Sequence, residues 1–129
     1  MSRFWILAGA FTATVVTLAV ALFLGSLAFN YHRHLEHEEL LREVVARQWT
    51  AERLTQWLRD VKSAPLLAVL QSPADVEREA LTRGGRKAAE IREKAGRHAQ
   101  VRIYQAADML YFVYFDEDGV MRDFTCVGA

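Results

Sequence analysis

The hydrophobic pattern of the chain changes abruptly near residue 30. From Phe4 to Phe29 the sequence holds no charged residue in 26 positions, whereas every charged side chain except Arg3 lies beyond it. A helix needs about 20 apolar residues to cross a hydrocarbon core of about 30 Å. Trp5 and Tyr31 stand at the two ends, where aromatic rings favour the headgroup region. The pattern predicts a transmembrane anchor over residues 1–30.

A secretory signal peptide is the alternative interpretation of the same segment. Ser26 and Ala28 place small residues at the positions that signal peptidase inspects, and cleavage after Ala28 would release a small secreted protein. The apolar core of a signal peptide is usually about 7 to 15 residues long, and this stretch is longer. We therefore expect an uncleaved signal anchor.

The flanking charges leave the orientation of the span open. Arg33, Arg42 and Arg47 follow it, whereas Arg3 and the α-amino group precede it. By the positive-inside rule this difference of one charge would place the following domain in the cytoplasm. A long C-terminal domain can translocate in spite of so small a difference. We expect the signal-anchor layout, with the domain on the extracytoplasmic side.

Small side chains recur at every fourth position of the predicted span, which places them on one face of a helix. Lipid gives helices no hydrophobic drive to associate, so close backbone approach and hydroxyl hydrogen bonds are the available forces. The pattern predicts a packing face for a transmembrane partner or a second copy, with chance accumulation of Gly and Ala as the alternative. This small-residue face comprises Gly9, Ala13, Thr17, Ala21 and Gly25.

Helical patterns follow the span. Residues 31–48 repeat apolar side chains with the helical period and predict a juxtamembrane helix that continues the membrane helix. Thr50 can cap a second helix, in which Trp57 is expected to anchor the core. The short apolar run Ser63–Gln71 suits a helical turn or a strand, and Pro65 after Ser63 favours the helix.

A further helix is predicted to begin at Ser72, because a capping hydroxyl is followed by Pro73 and by Asp75 near the positive end of the helix dipole. Its apolar positions continue through the Gly84–Gly85 pair toward Gly96. Each glycine inside a helix costs about 1 kcal/mol relative to alanine. One long helix and a break at the glycine pair therefore both remain open.

Toward the end of the sequence the apolar period changes to two. Residues 101–103 alternate, residues 109–115 are apolar on both faces, and a last strand is expected at 120–127. Asp116–Gly119 forms the tight connection between the last two. The sequence thus predicts an α+β domain over 49–129, with two or three helices on a three-stranded antiparallel meander. The doubly apolar middle strand predicts a second cover, for which a partner protein is one source.

Composition narrows the functional classes. The chain has 16 basic and 16 acidic residues, so it lacks the positive excess of nucleic-acid-binding domains, and no nucleic acid partner is expected. Cys126 is the single cysteine, which excludes an intramolecular disulfide and a zinc site of several thiolates. We expect Cys126 to be a partly buried residue of the last strand, with an intermolecular disulfide as the alternative.

One polar cluster just beyond the span has the spacing of metal ligands. His34, His37 and Glu38 share a helix face, where two imidazoles and a carboxylate can surround one divalent ion. A solvated helix face explains the same residues, so we expect no metal and no other cofactor. The candidate nucleophiles lie in no recognisable catalytic spacing with His98, and we expect no enzymatic activity. They are Ser63, Ser72, Thr125 and Cys126.

Helices followed by a three-stranded meander, together with two local runs, resemble a known family. The leucine-rich turn that ends in Ser72 and Pro73, and the run Tyr114–Val120, are similar to segments of the SmpA/OmlA (BamE-like) family of small bacterial envelope assembly domains. This sequence departs from the family in its missing lipoprotein cysteine, in the long charged helix after Ser72, and in the absence of a glycine before it. The resemblance implies a non-enzymatic scaffold at a membrane and assigns no functional residue.

The hypothesis that follows is a single-pass accessory or assembly subunit of a membrane complex. It would contact the lipid bilayer and a membrane-protein partner, or a second copy, through its span and an exposed sheet face. The alternatives are a membrane-anchored sensor that binds a metal or ligand, and a secreted small protein.

Overall fold

The computed structural model describes residues 2–128 and divides the chain into two compact units, one ending at Glu36 and the other beginning at His37. The chain is α+β, with a long apolar helix near its N-terminus and a four-stranded antiparallel sheet. The elements in chain order are α1 (Ser2–Ala46), α2 (Ala51–Asp60), β1 (Leu66–Leu70), α3 (Pro73–Arg83), a 3₁₀ turn (Gly85–Lys87), α4 (Ala88–Gly96), β2 (Gln100–Gln105), β3 (Met109–Phe115) and β4 (Met121–Gly128).

The first unit consists of the apolar part of α1. Every side chain from Arg3 to Phe29 is exposed, including large ones such as Phe11 at 72% and Leu22 at 67%. The helix is long and apolar enough to cross a membrane, and a signal sequence near the N-terminus would meet the same criteria. The predicted apolar helix is therefore present, and its apolar side chains are not covered by other described residues of the chain.

The second unit is built on a sheet of order β1-β2-β3-β4 in which every neighbouring pair is antiparallel. The turn between β3 and β4 forms because Asp116 Oδ1 accepts hydrogen bonds from the backbone N–H groups of Asp118 at 2.9 Å and Val120 at 3.0 Å. Gly119 takes a φ of 76°, which a residue with a side chain rarely adopts. The three predicted strands and their tight turn are confirmed.

Helices of the same chain cover both faces of this sheet. The end of α1 and α2 pack on one face, where Leu41, Val44 and Leu54 are 0–1% exposed. On the other face α3 and α4 contribute Ala80 and Ile91, both 0% exposed. All seven residues of β3 are buried, as a strand covered on both sides requires. The expectation of an exposed sheet face is therefore wrong, because the second cover comes from the chain itself.

The segment Ser63–Gln71, predicted to be helical, contains β1 instead. Ser63 has a φ of 51° and Pro65 follows it, so the chain leaves the helical conformation here before it enters the strand. The run from Leu66 to Leu70 then pairs with β2. The local pattern allows a helix or a strand equally, and pairing with β2 selects the strand. The sheet therefore has four strands and not the three that the sequence predicts.

The region after Ser72 is two helices, not one. Ser72 Oγ accepts from the Asp75 backbone N–H at 3.1 Å, so the predicted start is confirmed. The helix ends at Arg83 because Gly85 adopts a φ of 53°. A Cβ on Gly84 would lie 2.4 Å from the Ala80 carbonyl oxygen, which explains why glycine stands at this junction.

The two remaining expectations on packing are met in part. Thr50 caps α2, since its hydroxyl accepts from the Arg53 backbone N–H at 3.3 Å. Trp57 is only partly buried and packs edge-on against Trp49, with ring centroids 5.3 Å apart. It therefore lines the edge of the core on the α2 face and does not lie at its centre. Phe112, in contrast, is 0% exposed.

Candidate functional site

The small-residue face lies on the exposed part of α1. A Cβ added at Gly9 or Gly25 would meet nothing within 4 Å, so these positions leave room for a close neighbour. Thr17 Oγ1 donates to the Ala13 carbonyl oxygen at 2.8 Å, so its hydroxyl proton is used within the helix. Thr17 consequently offers its methyl group and a small volume to a neighbouring helix, and this face would act through close approach.

The proposed metal-ligand trio lies on α1, with His34 in the first unit and with His37 and Glu38 in the second. His37 Nδ1 contacts the Tyr111 hydroxyl, and His37 Nε2 lies 3.2 Å from Asp108 Oδ1. Glu38 Oε1 lies 3.6 Å from Lys87 Nζ. Across residues 2–128, no three His, Cys, Asp or Glu side chains form a group that could hold a metal ion. A metal held by His37 and His34 would first have to displace the contacts of His37.

Three of the four candidate nucleophiles are buried or hydrogen-bonded within the fold, and the fourth, Ser63, is exposed. Cys126 on β4 is 1% exposed, and burial raises the pKa of its thiol to about 12, so the thiol stays protonated at neutral pH. Thr125 Oγ1 accepts a hydrogen bond from the Tyr114 hydroxyl at 3.0 Å in the interior. Ser72 caps α3 with its side-chain oxygen. A structural reason is therefore available for each of these hydroxyl or thiol groups.

Opposite charges pair where α4 meets β4. Lys94 Nζ donates to the Phe124 carbonyl oxygen at 2.8 Å and to Asp123 Oδ1 at 3.2 Å. Its Nζ also lies 3.9 Å from Glu90 Oε1, a distance at which attraction between partly exposed charges is small. These contacts fasten α4 to the edge of the sheet.

The outer edge of β1 is a strand edge without charged residues, although its pairing with β2 is irregular between Leu66 and Ala68. No charged residue occurs between Lys62 and Asp75, and the side chains of Leu67 and Val69 are each 39% exposed. Natural sheets usually protect their edges with charges, because unpaired backbone groups there attract other strands. The opposite edge, β4, carries Arg122 and Asp123. The two edge strands of the sheet thus differ in charge, because β4 carries charged side chains and β1 carries none.

A cavity of about 430 Å³, here called the α3–α4 cavity, opens between these two helices and the adjoining ends of β1 and β2. Its apolar lining includes Leu70, Val76 and Val101. Arg92 spans from α4 to α3 and donates to both carboxylate oxygens of Glu77, at 2.7 and 2.9 Å. The cavity combines a mostly apolar wall with a few fixed polar groups, which is the usual composition of a ligand site.

Sequence reasoning missed both the β1 edge and the cavity. The charge-free stretch between Lys62 and Asp75 was a usable signal, but it was interpreted as helical, and a helix has no strand edge. The cavity had no signal in the sequence, because its walls come from residues as far apart as Leu70 and Val101.

Comparison of the chain with protein-family models, with curated proteins and with solved structures finds no match in any of the three. The resemblance to the SmpA/OmlA family therefore stays a prediction.

Proposed function

We propose that the protein is a non-enzymatic, single-pass membrane protein that acts as an accessory or assembly subunit of a membrane complex. One observation carries this proposal. The stretch Phe4–Phe29 is uncharged and exposed throughout, while the second unit already has helices on both faces of its sheet. Apolar surface on this scale is favourable only in contact with lipid or protein, at about 25 cal/mol per Å² removed from water.

The span is long enough to cross the bilayer, and the side chains on one of its faces are small enough for a partner helix to approach closely. The absence of side-chain bulk at Gly9 and Gly25 permits close backbone approach, which is the main source of helix association in lipid. The Thr17 hydroxyl donates its hydrogen bond to the Ala13 carbonyl oxygen of the same helix, so no unpaired donor remains on Thr17. The occupant we propose is a transmembrane helix of a partner membrane protein.

The β1 edge provides the second contact. Main-chain hydrogen bonding to an extended segment is a recurrent mode of protein recognition, and it uses an open edge of this kind. Leu67 and Val69 would meet apolar side chains of that segment, and the absence of charge favours an uncharged one. The charged β4 edge is poorly suited to the same role. This contact replaces the exposed sheet face of the original hypothesis.

We further propose that the domain lies on the extracytoplasmic side, as in a signal anchor. The resemblance to small envelope assembly domains supports this placement and a scaffold role. The buried, protonated thiol of Cys126 and the internal hydrogen bond of Thr125 support a role without covalent catalysis.

The test of the span is purification of the full chain in mild detergent, with the co-purifying membrane proteins quantified. Ala13→Leu and Ala21→Leu should each reduce recovery of a partner several-fold, because a bulky residue separates the two backbones. Val15→Leu, outside the small-residue face, is the matched control and should have little effect. Equal losses for all three variants would reject the small-residue face as the contact.

The test of the β1 edge uses the same purification. Val69→Lys should weaken recovery of the partner, because a charge on an edge strand opposes the addition of another strand. Leu81→Lys introduces the same charge at an exposed apolar position of α3, 68% exposed, and should leave recovery unchanged. Partner recovery that survives Val69→Lys would remove the edge from the proposal.

A second candidate function is ligand sensing, which the α3–α4 cavity favours. The metal version of this hypothesis is tested by isothermal titration of the full chain with zinc at neutral pH. We expect no stoichiometric binding, because His37 is engaged with Tyr111 and Asp108. Stoichiometric zinc binding that is abolished by His34→Ala or His37→Ala would establish the metal site and place the sensor above the scaffold.

A further inference from the structure

The α3–α4 cavity is a half-open cleft of about 430 Å³, and its lining combines buried residues such as Leu70 with exposed ones such as Ala99. Ligand sites usually measure about 300 to 1,000 Å³, so the volume suits a small organic molecule. The walls belong to α3, α4, β1 and β2, and the cavity exists only when these elements are assembled.

The charges at the cavity neutralise each other. Arg92 and Glu77 form a two-pronged ion pair at 2.7 and 2.9 Å, so their charges compensate each other. Ser72 Oγ is used by the Asp75 backbone N–H, and Gln100 Oε1 accepts from Arg102 Nε at 2.9 Å. Among the lining residues no charge is left without an opposite partner, so the site offers a charged ligand little compensation for lost hydration. This arrangement favours an uncharged ligand.

His98 supplies one directional polar group. Its Nδ1 lies 2.7 Å from the Lys94 carbonyl oxygen, and a carbonyl accepts, so Nδ1 carries the hydrogen. In the neutral ring Nε2 is then an acceptor, and no hydrogen bond from a residue within 2–128 to this atom is seen. The ring also packs on Tyr114, with centroids 5.7 Å apart, which restricts its orientation. His98 thus contributes to the cavity lining an imidazole ring that is held at Nδ1 and has an acceptor atom at Nε2.

From these observations we propose that the α3–α4 cavity binds a small, uncharged, mainly apolar molecule with one hydrogen-bond donor, of the class of indoles and phenols. The apolar side chains Leu70, Val76 and Val101 enclose its ring system. Its N–H or O–H donates to His98 Nε2. This site shares Leu70 of β1 with the strand edge, but neither Leu67 nor Val69 of that edge lines it, so its test is independent of the proposed scaffold role.

The test is equilibrium dialysis of the full chain in lipid nanodiscs against radiolabelled indole, with empty nanodiscs subtracted to remove partition into lipid. We expect saturable binding of one indole per chain. The probe 1-methylindole has nearly the same shape but no N–H donor, and its affinity should be about tenfold lower. No saturable binding of indole, or equal affinity for the two probes, would overturn the proposal.

Variants locate the binding in the cavity. Ala99→Phe places a ring at the lining and should abolish indole binding, while Ala89→Phe, at an exposed position of α4 outside the cavity, should preserve it. His98→Phe keeps an aromatic ring without the acceptor, and should bind indole and 1-methylindole equally weakly. Retained near-ultraviolet circular dichroism shows that each variant is folded. Indole binding undiminished by both Ala99→Phe and His98→Phe would contradict the site.

Discussion

Two apolar stretches of this chain, both without charged residues, differ completely in burial. The stretch Phe4–Phe29 is exposed along its whole length, whereas β3, Met109–Phe115, is buried along its whole length. Both lack charged residues, so composition alone does not distinguish them. The difference lies in length and in neighbours, because a strand of seven residues can be enclosed by helices of its own chain, and a 26-residue apolar segment is long enough to cross a bilayer.

The two stretches differ in what covers their apolar side chains. In the second unit, the end of α1 and α2 enclose one face of the sheet, and α3 and α4 enclose the other. In the first unit the apolar side chains have no such cover within the described residues. Matched substitutions in the two stretches should therefore have different consequences, and these differences form the predictions that follow.

The largest effect is expected at the centre of the sheet. Phe112→Ala should lower the free energy of unfolding of the second unit by about 3 to 5 kcal/mol, because it leaves a cavity at a position that is 0% exposed. Phe11→Ala makes the same chemical change at a position 72% exposed, and should leave that free energy unchanged. Urea unfolding of the full chain in detergent, followed by the fluorescence of Trp49 and Trp57 in a Trp5→Phe background, measures both.

Trp57→Ala gives a graded version of this experiment. Because Trp57 is partly buried at the edge of the core, its loss should cost less than that of Phe112. Equal melting of wild type, Phe112→Ala and Trp57→Ala would show that the core is elsewhere.

The second prediction concerns insertion into the bilayer. Leu18→Arg places a charge near the middle of the apolar stretch, and should oppose membrane insertion by about 2.5 to 3.5 kcal/mol. Leu81→Arg makes the same change at an exposed apolar position of α3 and should leave insertion unchanged. Flotation of membranes after alkaline extraction measures the inserted fraction. Equal flotation of both variants would contradict the difference between the two regions.

The third prediction compares two glycines. Gly84→Ala should destabilise the second unit by about 1 to 3 kcal/mol, because the new Cβ would meet the Ala80 carbonyl oxygen at 2.4 Å and force a shift in the helix junction. Gly9→Ala adds a methyl group where nothing lies within 4 Å and should not affect unfolding of that unit. Thermal melting of both variants is the measurement, and an unchanged melt for Gly84→Ala would refute the tight junction.

The smallest effect concerns acid stability. The pKa of Asp116 is held below its usual range by the backbone N–H of Val120 and by Arg122, so its contribution is present at neutral pH and is lost as the pH falls through the folded-state pKa. Asp116→Asn should lower the urea midpoint at pH 7, and the difference from wild type should shrink below about pH 4. Asp118→Asn, at an exposed position of the same turn, is the control. If the difference in urea midpoint between wild type and Asp116→Asn does not depend on pH, the charge of Asp116 does not contribute to stability.

Local signals predicted much of the fold. The capping hydroxyls of Thr50 and Ser72 and the turn at Asp116–Gly119 depend on neighbours in sequence, and all three are seen in the structure. The segment Ser63–Gln71 could not be predicted in the same way, because its partner β2 is about 35 residues away along the chain. The sequence leaves the break at Gly84 open, because the clash that requires glycine involves Ala80 and Ile91 as they pack in three dimensions.

The candidate sites were less predictable than the fold. The small-residue face is a property of one helix, so its spacing could be read directly. The spacing of His34, His37 and Glu38 was equally readable, but the sequence could not show that His37 would meet Tyr111 and Asp108. The α3–α4 cavity depends on four elements at once and had no local signal.

The measurement that most directly tests the central claim, a retained membrane span, is the intact mass of the protein recovered from the membrane fraction of the producing cells. A membrane-embedded protein whose mass includes residues 1–28 is the predicted result, because the apolar stretch of α1 would then serve as an uncleaved anchor. A water-soluble protein that begins at Phe29 would contradict the account and establish the secreted alternative.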